Sequence, residues 1–489
     1  MKMTALAFTV VLLSGCTVGP DFKHPEVTPP PLWSGREQAD SKTVSKEYDS
    51  QWWNIFHDST LSWLINHATE NNYDLRIAGT RLLQTEAQSS IVSGDELPSA
   101  SLTSEYQRAR NSENGLQDIS GLEGKKAYSV WQSSASLNWE PDFWGQIHRA
   151  VEATNARTEA SAELRIGMLL TIQAETARNY ILLRGVQAQI ITVQQNLQIA
   201  QSLLRLTLIR QKAGVATGLD VSEARARVAD TEAVLPPLDQ RQHHLINALS
   251  YLSGEMPEVL AGRLSQTEPL PVIPAVVPVG LPSELVKRRP DIRVAEAELH
   301  AATAETGAAV ASFYPSVTLS ANAGVQAMQF GQFWAPGSGF FNIAPVINLP
   351  IFEGGKLRGQ LALRKAQQQE AALRFQQTVL KAWHETDDAM TDYDTLQQQR
   401  QKLEKVVSDT QTALNNARQQ YLSGASDFLN VLTVQKALLE ARQALVVSNT
   451  NVSLSLVQLY KALGGGWQTP HSLVQAGLIN IRNKWINHG

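Results

Sequence analysis

Cysteine is almost absent from this chain of 489 residues, since Cys16 is the only one. A single cysteine excludes an internal disulfide framework. A charge bias is also missing: 42 Lys and Arg stand against 46 Asp and Glu, so nothing indicates nucleic-acid binding. Beyond the first residues, no apolar run reaches the roughly 18 residues of a membrane-spanning helix. If the protein crosses a membrane, its strands must do so.

Motifs of catalysis are missing as well. The chain has no HExxH, no GxSxG elbow, no phosphate-binding glycine loop and no CxxC. The glycines at 464–466 lack the strand before and the helix after that a nucleotide site requires, and they predict a helix end. We therefore expect no enzyme, and any energy source must belong to a partner.

The N-terminus has the pattern of a lipoprotein signal. Lys2 precedes an apolar run over residues 5–13, and Leu13-Ser14-Gly15-Cys16 closes it as a lipobox. We expect residues 1–15 to be removed and Cys16 to carry a covalent lipid, with no other cofactor. Thr17, rather than the Asp of an inner-membrane retention signal, favours the outer membrane.

The rest of the chain repeats itself at an offset of about 210 residues, which indicates a tandem duplication. The recurring pairs are Leu137-Asn138 with Ile347-Asn348, Glu175-Thr176 with Glu385-Thr386, Gly214 with Gly424, and Leu219-Asp220-Val221 with Leu429-Asn430-Val431. Each half has the same order: a medium helix, a hairpin, a very long helix, a turn and another medium helix. The opening medium helices are predicted over roughly 59–93 and 283–312, with Pro290 at a first-turn or kink position of the second.

The long helices are predicted from proline-free stretches that follow Pro141 and Pro350. Leucine and other apolar residues alternate at steps of three and four in the first, which is the seam of a left-handed coiled coil. The seam positions are Leu183, Val186, Ile190, Val193, Leu197, Ala200 and Leu204; in the second copy they are Leu396, Leu403, Val407 and Leu414, interrupted by Arg400 and Thr410. A helix from 143 to 210 extends about 100 Å, longer than a compact domain needs.

The hairpin segments alternate apolar and small polar residues, as in residues 131–139 and 317–326. This pattern fits a membrane barrel with a wet lumen, and a soluble half-buried sheet alternates in the same way. Aromatic residues near the strand ends fit interfacial girdles: Trp131, Trp139, Phe340, Phe341 and Phe352. Four strands are too few to close a barrel, so a membrane barrel requires several copies that pool their strands.

Several short motifs resemble those of a known family. The chain resembles the TolC-like outer-membrane factors, most closely their OprM/NodT-like lipoprotein branch. The matching motifs are Trp52-Trp53, Pro141-Asp142-Phe143-Trp144-Gly145, Arg288-Arg289-Pro290-Asp291-Ile292, Phe313-Tyr314-Pro315-Ser316, Pro350-Ile351-Phe352-Glu353-Gly354-Gly355 and Ala462-Leu463-Gly464-Gly465-Gly466-Trp467. They occur in family order across nearly the whole mature chain. Gly354-Gly355 replaces Trp144-Gly145 in the second copy, an asymmetry usual for the family.

The resemblance implies a homotrimer of tandem-duplicated protomers: a fold of long coiled-coil α-helices plus membrane β-strands, in which a trimeric β-barrel continues into a periplasmic α-helical tunnel. It also implies partners, namely a periplasmic adaptor (membrane fusion) protein and an inner-membrane pump. The expected segments are 1–15 signal, 16–57 linker, 98–140 and 313–350 hairpins, 59–95, 143–253, 283–312 and 355–463 tunnel helices, and 254–282 and 464–489 mixed equatorial segments.

The turns between the long and medium helices, at 212–218 and 423–426, are the candidate working sites. Gly214 and Gly424 permit the positive φ of a tight reversal. Asp220 and Asp427 lie near the starts of the return helices, where a carboxylate is favoured as a cap. In a trimer these residues also predict a carboxylate ring at a periplasmic gate and the surface that an adaptor contacts.

Other charged clusters have a structural interpretation. The second long helix carries an acidic group, which we interpret as a water-facing surface of the tunnel, with a metal site as the alternative. Its members are Glu385, Asp387, Asp388, Asp392 and Asp394, with His384 nearby. We expect Arg288 and Arg289 to pair with carboxylates at a helix junction. The function that fits best is a passive outer-membrane exit channel for drugs or other toxic small molecules. The alternative is a lipid-tethered periplasmic coiled-coil scaffold or adaptor, and the cargo and pump class stay open.

Overall fold

The computed structural model describes residues 17–29, 43–44, 51–114, 126–271, 273, 277–279 and 282–465. Cys16 and the signal segment lie outside these residues, as do Gly466 and the rest of the C-terminal segment. Two compact units form: one combines residues up to 26 with 82–161 and 294–375, and the other combines 27–81 with 162–293 and the residues from 376 onward.

Helices dominate the described residues. They are α1 (Ser59–Asn71), α2 (Tyr73–Ser93), α3 (Gln146–Lys212), α4 (Gly218–Ala233), α5 (Leu235–Leu252), α6 (Ala261–Leu264), α7 (Pro282–Arg288), α8 (Pro290–Ala311), α9 (Lys356–Leu422) and α10 (Phe428–Ala462). In the described part of the chain, none of them combines the length and apolar character needed to cross a bilayer.

Within the described residues, six strands form two sheets. They are β1 (Thr43–Val44), β2 (Ser99–Ala109), β3 (Tyr128–Trp139), β4 (Val277–Pro278), β5 (Ser316–Ala327) and β6 (Gly339–Asn348). β1 and β4 pair in parallel, whereas the other four form an antiparallel sheet in the order β2-β3-β5-β6. The two hairpins predicted from the duplication are therefore joined edge to edge through β3 and β5.

The two long helices confirm the duplication. α3 and α9 each contain 67 residues, about 100 Å of helix, and each leads through a short turn into its return helix. Val186 and Val193 of the predicted α3 seam are fully buried, whereas Arg400 and Thr410 of α9 stay partly buried on theirs. Polar interruptions thus remain on the packed stripe of α9 rather than turning to the surface.

Each opening medium helix is interrupted; the sequence patterns missed the break in the first copy and anticipated the one at Pro290 in the second. Asn72 separates α1 from α2: its side chain accepts a hydrogen bond from Leu75 N at 3.1 Å and donates one to Leu252 O at 2.8 Å. In the second copy the break falls at Arg289, and Pro290 begins α8, as expected for a first-turn proline. Both predicted segments are helical on either side of the break.

Arg289 confirms the predicted junction. Its guanidinium donates to both oxygens of Asp291 (3.0 and 2.7 Å), to Glu385 Oε2 at 2.7 Å, and to Ala462 O at 3.0 Å. Ala462 is the last residue of α10, so the cation satisfies a carbonyl that the helix end leaves free. Gly464 follows with a φ of +70°, and a Cβ there would lie 3.0 Å from the Arg289 side chain. This close approach explains the glycine better than a nucleotide site does.

The acidic group on α9 does not form one wet face. Glu385 is committed to Arg289, Asp394 is buried at 6% exposure, and Asp388 and Asp392 face solvent. Within the described part of the chain no cluster of three metal-binding side chains is present. The tunnel-face interpretation is therefore wrong for Asp394.

Candidate functional site

The two turns that end α3 and α9 have the same backbone. In the first, Val215 N donates to Arg210 O and Gly214 N to Gln211 O, both at 2.9 Å. These bonds define a Schellman motif, and Gly214 takes the required positive φ of 74°. Ala425 N to Gln420 O, at 2.9 Å, and Gly424, with φ of 78°, repeat it in the second turn.

The two return helices are capped by different residues. In the first copy Thr217 is the N-cap: its hydroxyl accepts from Asp220 N at 3.2 Å, and Asp220 Oδ2 accepts from Thr217 N at 2.7 Å. This reciprocal pair is a capping box. In the second copy Asp427 is itself the N-cap and accepts from Asn430 N at 3.0 Å. The carboxylate of the second copy thus stands three residues earlier than that of the first, but in both copies it lies at the positive end of the helix.

An apolar cluster holds the two turns together. Its fully buried members are Leu203, Ala224, Leu414, Ala417, Tyr421, Phe428, Val431 and Leu438. Arg210 covers it on one side: the guanidinium lies 4.3 Å from the Tyr421 ring centroid, and Nη1 donates to Tyr421 O at 3.2 Å. Burial raises the pKa of the Tyr421 phenol above its ordinary value, although the nearby Arg210 cation opposes the shift. Tyr421 therefore stays neutral, as a cation–π partner should.

Two leucines next to these caps remain exposed. Leu219 is 67% exposed and Leu429 is 58% exposed, and each is the second residue of its return helix. They are equivalent by the 210-residue offset. Val215 in the first turn and Leu422 at the end of α9 are also exposed. Large apolar side chains that repeat at equivalent exposed positions indicate a contact surface rather than a packing requirement.

The structure also places the segment directly after Cys16. Residues 17–26, here named the strap, lie along α3 and α8. Asp21 accepts a hydrogen bond from the buried Arg149 at 2.5 Å, His24 pairs with Glu296 at 2.7 Å, and Phe22 stacks on His300 at 4.4 Å.

Two glycines permit the strap to lie this close. Gly19 has a φ of +95°, and a Cβ on it would lie 2.6 Å from Gly307 Cα. Val18 N donates to Trp144 O at 3.1 Å, so the first described residues lie beside the start of α3. Cys16 itself lies outside the described residues, one position before Thr17.

The sheet has one apolar and one polar face. Cross-strand partners Ala100, Leu137, Ala321 and Ile343 form one row; the next row is Ser101, Ser136, Asn322 and Asn342. The polar face carries side-chain bonds between strands, such as Ser320 Oγ to Asn138 Oδ1 at 2.9 Å. Phe341 lies on the apolar face, but Phe340 pairs with Gly324 and lies on the polar one. The girdle assignment of Phe340 is therefore wrong, because consecutive strand residues point to opposite faces.

Gly214, Asp220, Gly424 and Asp427 all lie at the helix turns as predicted, and each has a cap or turn role. The sequence patterns missed the Arg210–Tyr421 pair, although a basic residue in the last turn of α3 was a usable signal. They also missed the strap, which has no periodicity to detect.

Comparison with known proteins places these features in context. The family model "Outer membrane efflux protein" matches residues 64–255 and again 281–465, once for each half of the duplication. The chain is 32% identical to the toluene efflux pump outer membrane protein TtgC of Pseudomonas putida over 485 residues, 98% of either chain. It is 26% identical to the probable outer membrane lipoprotein SilC of Salmonella typhimurium, over 96% of this chain and 99% of that one.

Among solved structures, the outer-membrane channel OprN matches with a TM-score of 0.87 and 31% identity, over 93% of this chain and 100% of that one. CusC, described in a study of transmembrane channel formation, matches with a TM-score of 0.82 and 25% identity, over 92% and 100%.

Proposed function

The chain belongs to the outer membrane efflux protein family, and on that premise we propose that its two helical turns dock a partner and gate the channel. The protein is an outer-membrane efflux channel: the protomer supplies four strands to a trimeric β-barrel that continues as a periplasmic α-helical tunnel. A sheet with one apolar and one polar face suits a barrel with lipid outside and water inside. The scaffold alternative is set aside.

The observation that carries the docking proposal is the repetition of an exposed leucine. Leu219 and Leu429 stand at equivalent positions beside two Schellman turns of the same geometry. Three protomers would therefore present six such leucines at alternating turns. A periplasmic adaptor would find regularly spaced apolar contacts there, and the adaptor would connect the channel to an inner-membrane pump. That pump supplies the energy, and this chain has no catalytic role.

The gating proposal assigns a role to the two carboxylates. Asp220 and Asp427 cap their helices within one chain, and three copies of each would bring up to six negative charges to the end of the tunnel. Like charges at short distance repel one another, and bound cations relieve that repulsion. The Arg210–Tyr421 pair anchors the C-terminal end of α9 to α3 in each protomer. Opening would then move the return helices while these anchored ends keep their contact.

The experiment that tests docking replaces the two leucines together. We expect Leu219→Asp with Leu429→Asp to abolish protection of a channel-deficient strain against toxic small molecules, because a carboxylate cannot enter an apolar contact without a large desolvation cost. The outer-membrane level of trimer should not change, since both side chains are exposed. Val259→Asp, another exposed apolar position, is the matched control and should retain protection. Full protection by the leucine double variant would refute the docking proposal.

We also propose that Cys16 carries the lipid, as its lipobox predicts; the relative SilC is named a lipoprotein. A Cys16→Ala chain exported by a cleavable signal tests how far the channel depends on it. We expect the variant to remain a trimer in the outer membrane, because the barrel holds it there, while incorporation of labelled palmitate is lost. A soluble periplasmic monomer would show that the lipid, and not the barrel, keeps the protein in the membrane.

A further inference from the structure

The loop that joins β5 to β6, residues 328–338, is unusual in composition. It has no charged residue, and it contains Met328, Phe330, Phe333 and Trp334. The loop at the same end of the sheet between β2 and β3, residues 110–127, contains six charged residues. The two loops at this end of the sheet thus differ in polarity: the charged loop suits water, and the uncharged aromatic loop suits an apolar surface.

The uncharged loop is ordered by its own hydrogen bonds. It contains the 3-10 turns Phe330–Gln332 and Pro336–Ser338, and Ser338 Oγ donates to Gln332 O at 2.6 Å. Phe333 is 9% exposed and packs beneath the loop, in edge contact with Trp334 at 5.0 Å. Trp334 itself is 79% exposed and Phe330 is 63% exposed. A rigid loop thus displays two large aromatic rings.

The loop bends toward the apolar face of the sheet. Phe330 contacts Trp131 with ring centroids 4.9 Å apart, and Trp131 contacts Tyr106, its cross-strand partner, at 4.3 Å. Tyr106 and Trp131 share a face with Leu102, Leu137 and the other apolar residues, because positions two apart in a strand point the same way. The ring of Phe330 therefore continues the surface that faces lipid.

We propose that residues 328–338 form a lipid anchor that rests in the interfacial layer of the outer leaflet. Aromatic rings are favoured at the boundary between acyl chains and headgroups, where an apolar body and a polar edge are both accommodated. The occupant is a lipid surface rather than the lumen, because Phe330 packs against Trp131 on the apolar face. The absence of charge means that the anchor binds through ring burial and not through ion pairs with phosphates.

Site-specific labelling tests this proposal in the full-length trimer, reconstituted in vesicles of phosphatidylethanolamine and phosphatidylglycerol. Trp334→Cys places a thiol for an environment-sensitive dye in the loop, and Asn114→Cys places one in the charged loop as the matched control. Met328→Cys repeats the test at a second position of the same loop, should Trp334 prove necessary for folding. The wild-type chain, with Cys16 alone, gives the labelling background.

We expect iodide in the water to quench the dye at position 334 about threefold less than at 114, and a headgroup-level lipid nitroxide to quench it about threefold more, as an interfacial site requires. Equal iodide quenching at the two positions, without nitroxide quenching at 334, would overturn the anchor in favour of a water-exposed loop. Protection at 334 from both quenchers would overturn it as well, because the loop would then be covered by protein.

Discussion

The carboxylates Asp220 and Asp427 occupy different positions in two equivalent turns. The first return helix uses Thr217 as its N-cap with the acid three residues later, whereas the second uses the acid itself. Either arrangement satisfies free N–H groups and places a negative charge at the positive helix end. The two copies therefore share a negative charge at the turn, although different residue positions carry it.

Because the observed cap and the proposed gate use the same carboxylate, a substitution at Asp427 can separate the two roles. Asn caps a helix about as well as Asp, so Asp427→Asn should leave stability within about 0.5 kcal/mol, whereas Asp427→Ala should lose about 1 kcal/mol. If the charge also takes part in gating, Mg²⁺ should reduce the single-channel current of the wild type in planar bilayers, and both variants should lose that response. An Asn variant that matches the wild type in both stability and Mg²⁺ inhibition would leave Asp427 as a cap alone.

At the scale of elements, the strap is held by ionic contacts whose strength depends on pH. Burial by itself would raise the pKa of Glu152, but hydrogen bonds from Arg149 at 2.7 Å and His300 at 2.9 Å outweigh it, so the pKa lies below its ordinary 4.5. Asp21 also has a lowered pKa, because it accepts a hydrogen bond from Arg149. A carboxylate with a depressed pKa stabilises the fold above its ordinary pKa, and this stabilisation is lost as pH falls through the depressed value.

We therefore predict that the strap loosens in acid. Amide protection factors of residues 17–26, which already divide out the intrinsic pH dependence of exchange, should fall below about pH 4.5. In Glu152→Gln the protection should be lower at pH 6 and should depend less on pH, because one of the titrating partners is gone. A strap equally protected at pH 6 and pH 3.5 in the wild type would contradict the ionic explanation.

At the scale of the whole molecule, the two faces of the sheet decide where the protein resides. Ile343 and Asn342 are neighbours in β6 on opposite faces. Arginine on the lipid face of a barrel costs about 2–4 kcal/mol near the bilayer midplane, whereas the lumen tolerates it. We expect Ile343→Arg to reduce the amount of trimer in outer-membrane fractions severalfold and Asn342→Arg to leave it nearly unchanged. A reversed ranking of the two variants would mean that the sheet has been assigned the wrong way round.

The sequence alone determined the large features because each depends on local periodicity or on repetition. The offset of 210 residues, the seam of α3, the alternation in residues 131–139 and the glycines at the turns are all patterns along the chain. A segment with a strong apolar period has one way to bury its apolar face, so the period itself indicates whether it is a helix or a strand. The family resemblance rested on short motifs spread from Trp52-Trp53 to Trp467, and the family model and the relatives confirm it.

Only the tertiary structure decided which side chains meet. Asn72 interrupts a helix because Leu252, 180 residues away, accepts its hydrogen bond, and Arg289 selects Glu385 and Ala462 from distant helices. Phe340 lies on the polar face, and not on the expected apolar one, because the strand register fixes the direction of its side chain. Arg210 and Tyr421 are likewise brought together by the packing of α3 on α9. Such contacts depend on the spatial arrangement of segments far apart in the chain, and no local pattern contains that information.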